Sequence, residues 1–282
     1  MTLITVDAVP ADISRRPGAP GRAPFTVRHV LADSPLLDQE RLAELAASLP
    51  SRSIEHNLGS VPALLPGGVA PQLGMAPAEI VRGIESNGCW IVLKNIEADP
   101  AYRALLGSCV AELARMTPDE GAVVLQEGFV FLSSPGSVTP AHIDPEHNVL
   151  LQIRGTKTVS IGRFEDDAEM VRQVESLHGG GHRNVLAAPV DLVDFPLVPG
   201  VGVYVPVHAP HLVRNGAAVS VSLSVTWRTR ETLLRGRVHG FNGVLRARGV
   251  PVGPVGAHPR RDNVKALAWR AGQAASRRLR RN

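Results

Sequence analysis

Cysteine is nearly absent from the chain: Cys89 and Cys109 are the two thiols in 282 residues. Two cysteines cannot build a disulfide framework or a cysteine-based metal centre, and they read as small buried hydrophobes in a reducing compartment. Long apolar runs are missing too. No stretch reaches the ~18 residues that a bilayer-spanning helix needs, and the N-terminus lacks the basic-then-apolar order of a secretory signal. The expectation is a soluble, cytoplasmic protein with no membrane partner. Nothing in the chain matches a named DNA-reading motif.

What is present supports a globular protein. The chain is 44% hydrophobic and 20% charged, enough for a sizeable core in one large domain or two small ones. The net charge of +4 conceals an asymmetry: residues 228–282 carry 14 Lys+Arg against 2 Asp+Glu, whereas residues 1–227 carry 16 against 24. A basic segment of this kind can bind nucleic acid, an acidic partner, or the acidic body of its own fold.

Residues 1–24, rich in Pro, Gly, Ala and Arg and without periodicity, read as a mobile arm. Residues 38–49 place Leu42, Leu45, Ala46 and Leu49 on one helical face, which Pro50 ends. Residues 51–76 read as loop, 77–87 as a short helix opened by Pro77, 89–96 as a strand, and 99–116 as a helix capped by Asp99. After residue 121 short β-branched runs with turn residues between them follow in series, the pattern of a sandwich or barrel. The last run alternates strictly: Val219, Val221, Leu223 and Val225 on one face, Ser220, Ser222, Ser224 and Thr226 on the other. The polar face either lines a wet barrel interior or meets solvent. From 231 onward helical and Pro/Gly-rich segments alternate and end in a basic helix. Its Leu267, Ala268, Ala271, Ala274 and Ala275 form a thin apolar stripe that would pack on the barrel or a second subunit, with Trp269 or Leu279 adding area and Arg277–Arg281 at an exposed end.

One constellation carries chemistry. His142-Ile143-Asp144 is an H-x-D pair, and on a strand residues i and i+2 point the same way. A histidine from a distant strand would complete a two-histidine, one-carboxylate face with open positions, the set used by non-haem Fe(II) oxygenases. His208 and His211 both stand where such a ligand could come from, and His147 is a further candidate that reads more simply as a polar loop or pocket-rim residue.

The surroundings of these residues resemble a known family. VTPAHIDPEHNVLLQIRGTKTVSI (138–161) resembles the iron-binding segment of the JmjC and cupin-like Fe(II)/2-oxoglutarate oxygenases, and is particularly similar to that of the asparaginyl hydroxylase of hypoxia-inducible factor. PGVGVYVPVHAPHLVRN (199–215) resembles the family's second metal strand; together the resemblance spans roughly residues 138–227. It implies a mainly β fold, a double-stranded β-helix (cupin or jelly-roll) core with N- and C-terminal helices. The oxygenase domain, including an N-terminal helical elaboration, would occupy 25–230, after the arm 1–24 and before a basic helical extension, 231–282. It further implies Fe(II) held by His142, Asp144 and His211, since counting from Tyr204-Val205-Pro206 puts the family's ligand on His211 and a loop residue at His208. The co-substrate 2-oxoglutarate would be bound by Lys157, Thr139 and Asn148, with Arg154 facing solvent. Ser224 departs from the family, which often has Asn there.

The activity so implied is that of a dioxygenase hydroxylating a peptide or protein side chain or a small metabolite. A homodimer through the C-terminal helices is one assembly this allows, and packing of those helices on the barrel is the other. Two other classes stay open: a metal-binding cupin with chemistry independent of 2-oxoglutarate, and a non-catalytic regulator binding nucleic acid through its basic tail. The loop GGGHRN (179–184) is flexible by composition, and His182, Arg183 and Asn184 are candidates to touch substrate. Trp90, Trp227 and Trp269 read as core or interface residues.

Overall fold

The structure, a computed structural model, describes residues 2–8, 23–58, 74–116 and 121–279. In chain order its elements are β1 (Ile4–Ala8), β2 (Phe25–His29), α1 (Gln39–Ser48), β3 (Ile54–Leu58), α2 (Pro77–Arg82), β4 (Cys89–Lys94), α3 (Pro100–Met116), β5 (Val123–Ser133), β6 (Val138–His142), β7 (His147–Arg154), β8 (Lys157–Arg163), α4 (Asp167–His178), β9 (Val190–Leu197), β10 (Val201–Val205), β11 (His211–Asn215), β12 (Ser220–Thr229), α5 (Arg230–Arg246) and α6 (Pro259–Leu279).

All pairing is antiparallel, in two sheets. The larger runs β1-β2-β10-β7-β12-β5-β4-β3 and the smaller β6-β11-β8-β9. Strands β5 to β12 alternate between the sheets except at the β8–β9 hairpin, so that β5, β12, β7 and β10 face β6, β11, β8 and β9. That is the winding of a jelly roll. Leu150, Val203 and Val205 from one sheet and Val159, Ile161, Phe195, Leu197 and Val213 from the other fill the space between them. The outer face of the larger sheet carries a second and larger core, formed with α1, α2 and α3 through Leu42, Leu45, Ile80, Tyr102, Leu106 and Leu113. Cys89 and Cys109 are free thiols buried in it.

The alternation of β12 sorts itself between these two cores. Val219, Val221, Leu223, Val225 and Trp227 enter the helix-covered core. Ser220, Ser222, Ser224 and Thr226 point into the barrel and are buried there, opposite Gln152, Leu150 and Asn148 of β7. Each hydroxyl is bonded: Ser222 Oγ donates to Gln152 Oε1 (2.7 Å), whose Nε2 donates to Ser220 Oγ (2.9 Å). Ser224 Oγ donates to Asn148 Oδ1 (2.7 Å) and Thr226 Oγ1 to Glu127 O (2.9 Å). Gly155, at φ +69°, makes the tight β7–β8 turn; a Cβ there would stand 2.1 Å from Val219 O.

Several elements differ from the sequence expectation. Ile4–Ala8 lies within the segment read as an unstructured arm, yet it pairs with β2. It is anchored by the Glu112 carboxylate, which accepts the Leu3 and Ile4 N–H groups at 2.7–3.0 Å. Residues 9–22 lie outside the described residues. Likewise β3 falls inside the stretch 51–76 read as loop, and it is an edge strand held by β4; 59–73, with Pro62, Pro66 and Pro71, lie outside the described residues. Among the described residues no helix is long and apolar enough to cross a membrane.

The C-terminal helix also packs on another face than the one its stripe suggests. Ala266 is buried, Trp269 is half-buried and packed against Gly240, and Lys265 Nζ donates to Asn242 Oδ1 (2.8 Å), all against α5. Leu267 and Val264 are 62% and 67% exposed, and Ala268, Ala271, Ala274 and Ala275 are exposed with them. The side chains of Arg277 and Leu279 and residues 280–282 lie outside the described residues.

Candidate metal centre

His142 ends β6, His211 opens β11, and the two are cross-strand partners. Their rings stand 4.1 Å apart, centroid to centroid. Each ring is fixed in the same way: Nδ1 of His142 donates to Pro140 O (2.8 Å) and Nδ1 of His211 to Ala209 O (2.9 Å). A carbonyl only accepts, so Nδ1 carries a proton in both rings, and Nε2 is the nitrogen turned to the site. Asp144 follows in the turn after β6, with Oδ2 3.7 Å from His211 Nε2. One nitrogen from each histidine and one oxygen of Asp144 all lie within 4.8 Å of one another. Burial, then the neighbouring His211, push the His142 imidazole down to about 4, so it is neutral at pH 7. Burial pushes the Asp144 carboxyl up, but Arg183, His142 and His211 outweigh it and hold it at about 2. A neutral His142 imidazole and an ionised Asp144 carboxylate are donor states that a divalent cation requires.

Behind this face lies a charge network around two buried carboxylates, Asp144 and Glu146, that spacing alone did not disclose. Arg183 Nη1 donates to Asp144 Oδ1 (2.6 Å), leaving Oδ2 toward the histidines, and Nη2 donates to Glu146 Oε1 (3.3 Å). Glu146 is 2% exposed and also accepts from Arg228 Nη2 (2.9 Å). The loop carrying Arg183 is stitched onto β6: Ile143 N donates to Arg183 O and Val185 N to Ala141 O. Arg183 thus clamps a carboxylate of the site, where the sequence suggested a substrate contact. His182 is exposed and accepts the Asn184 N–H, and Asn184 bridges His142 through the backbone.

The other candidates fall into place by parity along their strands. Lys157 shares its face of β8 with Val159 and Ile161, opposite Leu197 of β9 and Asn215 of β11, and so points into the barrel. It is 5% exposed, and among the described residues no acceptor or carboxylate pairs with its ammonium. Burial pushes it down to about 7. Thr139 on β6 lies opposite Val213, on the same sheet face, with β11 between it and Lys157. Asn148 faces inward from the opposing sheet; with Oδ1 held by Ser224, its Nδ2 is the end left to donate. Arg154 is exposed and reaches Gln39 (3.3 Å).

Two histidines stand elsewhere. His147 is neither loop nor rim: it begins β7, buried in the outer core, stacked on Trp227 (5.2 Å) with Nδ1 2.9 Å from Tyr204 Oη. His208, in the left-handed conformation (φ 62°), donates its backbone N–H to Asp144 O (2.9 Å) and turns its ring away, placing Nε2 2.9 Å from His178 Nε2. His239 completes this second group of imidazoles.

No protein-family model matches the chain, and no curated protein does. Among solved structures, YcfD, a ribosomal oxygenase from Escherichia coli in complex with cobalt and 2-oxoglutarate, has a TM-score of 0.50. It is 17% identical, over 96% of this chain and 68% of its own. The same protein with cobalt and succinic acid gives 0.45 at 16% identity over 96% and 68%. A cupin superfamily protein from Desulfitobacterium hafniense covers 37% of this chain and 68% of its own, at 15% identity and a TM-score of 0.25. At 17% identity the first likeness establishes a shared fold: the chain is a mainly β, double-stranded β-helix protein with flanking helices.

Proposed function

We propose that the chain is an Fe(II)- and 2-oxoglutarate-dependent oxygenase that hydroxylates a protein or peptide side chain. The observation that carries this is a juxtaposition inside one barrel. Three ligand atoms of His142, Asp144 and His211 converge, and a buried lysine with no partner among the described residues shares their sheet. A buried unpaired ammonium is costly unless an anion meets it. Lys157 therefore suits the distal carboxylate of a dicarboxylate whose other end reaches the metal. Bound there, Fe(II) and 2-oxoglutarate would supply O2 activation, with succinate and CO2 as by-products.

The chain's own residues do the positioning. Pro140 and Ala209 carbonyls hold the two imidazoles with Nε2 forward, and Arg183 holds Asp144 with Oδ2 forward. Thr139 and Lys157 receive the distal carboxylate, Asn148 donates from the opposite wall, and the bonded serine ladder of β12 keeps that wall polar without free hydroxyls. The choice of a protein substrate draws support from the fold neighbour described as a ribosomal oxygenase. The exposed Val264–Leu267 face of α6 supports a homodimer through the C-terminal helices. Purified protein given Fe(II), 2-oxoglutarate and peptide pools should release succinate in step with a 16-dalton gain on one peptide. Succinate release that no substrate stimulates, or turnover surviving Lys157→Ala at unchanged 2-oxoglutarate concentration, would contradict it.

A further inference from the structure

Two adjoining cavities open where α5 and α6 meet the barrel. The larger, 410 Å³, is lined by Arg237, Arg270, Gln273 and Ala274. The smaller, 230 Å³, shares Arg237 and Gln273 and adds Arg228, Trp269 and His178. It reaches Pro145, the residue after Asp144. The helix spacing explains the lining: Leu233, Gly236 and Arg237 share one face of α5, and Trp269, Arg270, Gln273 and Ala274 one face of α6. Two glycines permit the approach. A Cβ on Gly236 would lie 2.5 Å from His178, and one on Gly240 would lie 2.7 Å from Trp269.

The charge here is uncompensated. Among the described residues neither Arg237 nor Arg270 has an ion pair or hydrogen bond. Burial and then the charge of Arg270 hold Arg237 below its ordinary range, the mark of two guanidiniums crowded together. Arg228 spends Nη2 on Glu146, but its Nε is buried with no partner. Two cationic forks without partners among the described residues, Arg237 and Arg270, thus flank the indole of Trp269.

We infer that this cleft between α5 and α6 is a binding site for a phosphoryl dianion. Two unneutralised guanidiniums match two negative charges, and phosphate presents the oxygens to engage several forks at once. A monoanionic carboxylate would leave one guanidinium unpaired. Trp269 offers a flat wall to the organic part of a phosphate monoester. The site does not depend on the metal reading.

The test titrates the full-length, metal-free protein with inorganic phosphate while chloride holds ionic strength constant. Calorimetry should show one saturable site, and the melting temperature should climb with the logarithm of phosphate concentration. Arg270→Gln, on the exposed side of the cleft, should weaken binding about ten-fold or more, and Arg237→Gln likewise. Should Arg237→Gln fold poorly, Arg270→Gln carries the test. A nucleoside monophosphate binding more tightly than phosphate names an organic monoester as the ligand, and equal affinity names free phosphate. An effect matched by chloride or acetate, or unchanged in Arg270→Gln, overturns the inference. So does a single-stranded oligonucleotide outcompeting phosphate, since its phosphodiesters are monoanions.

Discussion

Lys157 concentrates the chemistry of the site in one side chain. Its amine sits at about 7 in the folded protein against 10.5 in the unfolded chain, so the native state binds fewer protons between these values. The stability associated with this group is therefore complete above about pH 10.5, declines as pH falls toward 7, and is flat below. Lys157→Met should remove that cost and stabilise the ligand-free protein at pH 7–8 by on the order of 1–3 kcal/mol, seen as a higher melting temperature. The stabilisation by 2-oxoglutarate should vanish in the same variant. A melting temperature that falls instead, measured by calorimetry, would mean that Lys157 has a native partner. Arg183 is the second decisive residue. In Arg183→Gln, Asp144 loses the clamp on Oδ1 and Glu146 loses one of its two cations. Co(II) affinity, followed by visible absorption, should drop about 10–100-fold, the usual effect of removing a group that orients a metal ligand. Little of Arg183's role was legible in the sequence. A residue 39 positions from Asp144, in a glycine-rich loop, has no spacing rule to place it there. The grouping of His142, Asp144 and His211 was legible from the H-x-D spacing together with the family resemblance, which singles out His211 when counted from Tyr204-Val205-Pro206.

At the scale of elements, β12 shows a strand whose pattern was clear and whose orientation was not. The alternation of Val and Ser is plain in the sequence, but a polar face can turn to solvent or to a barrel interior with the same letters. Its pairing with β7 decides, because Gln152 and Asn148 stand opposite the serines. The helix α6 teaches the converse. Its alanine stripe obeys helical spacing, yet the packed face is the one bearing Ala266 and Trp269, since Gly240 of α5 admits the indole and nothing comparable admits Leu267. Deleting 259–282 removes that packing together with the Asp262 carboxylate that accepts the Gly256 N–H (2.7 Å). The melting temperature should fall by several degrees, as a loss of ~1–2 kcal/mol produces in a chain of this size. Solution mass on the same sample tests the homodimer: a fall to monomer supports it, and a monomer before deletion contradicts it. The edge strands β1 and β3 escaped the sequence because each is five residues long and owes its place to a neighbouring strand rather than to its own pattern.

For the whole molecule, the fold joins a hydrophobic slab, where α1–α3 cover one sheet, to a barrel with a partly polar interior, which carries the proposed site. The barrel interior is where the residue-level rules bend: a buried lysine without a partner among the described residues, a buried glutamate shared by two arginines, hydroxyls in place of aliphatic side chains. Such departures gather at functional sites, and here they run along the barrel from Lys157, opposite Asn215 at one end of β11, to Glu146, which shares Arg183 with Asp144. The basic C-terminal helices supply Arg237 and Arg270 to the cleft between them. The most direct measurement is anaerobic: add 2-oxoglutarate to the Fe(II)-loaded protein and record the visible spectrum. Wild-type protein should develop a charge-transfer band that saturates at one equivalent of metal, that Lys157→Met shifts to higher 2-oxoglutarate concentration, and that Asp144→Ala and His211→Ala abolish. No band in the wild type, or a band undiminished in His211→Ala, would contradict the assignment of the site.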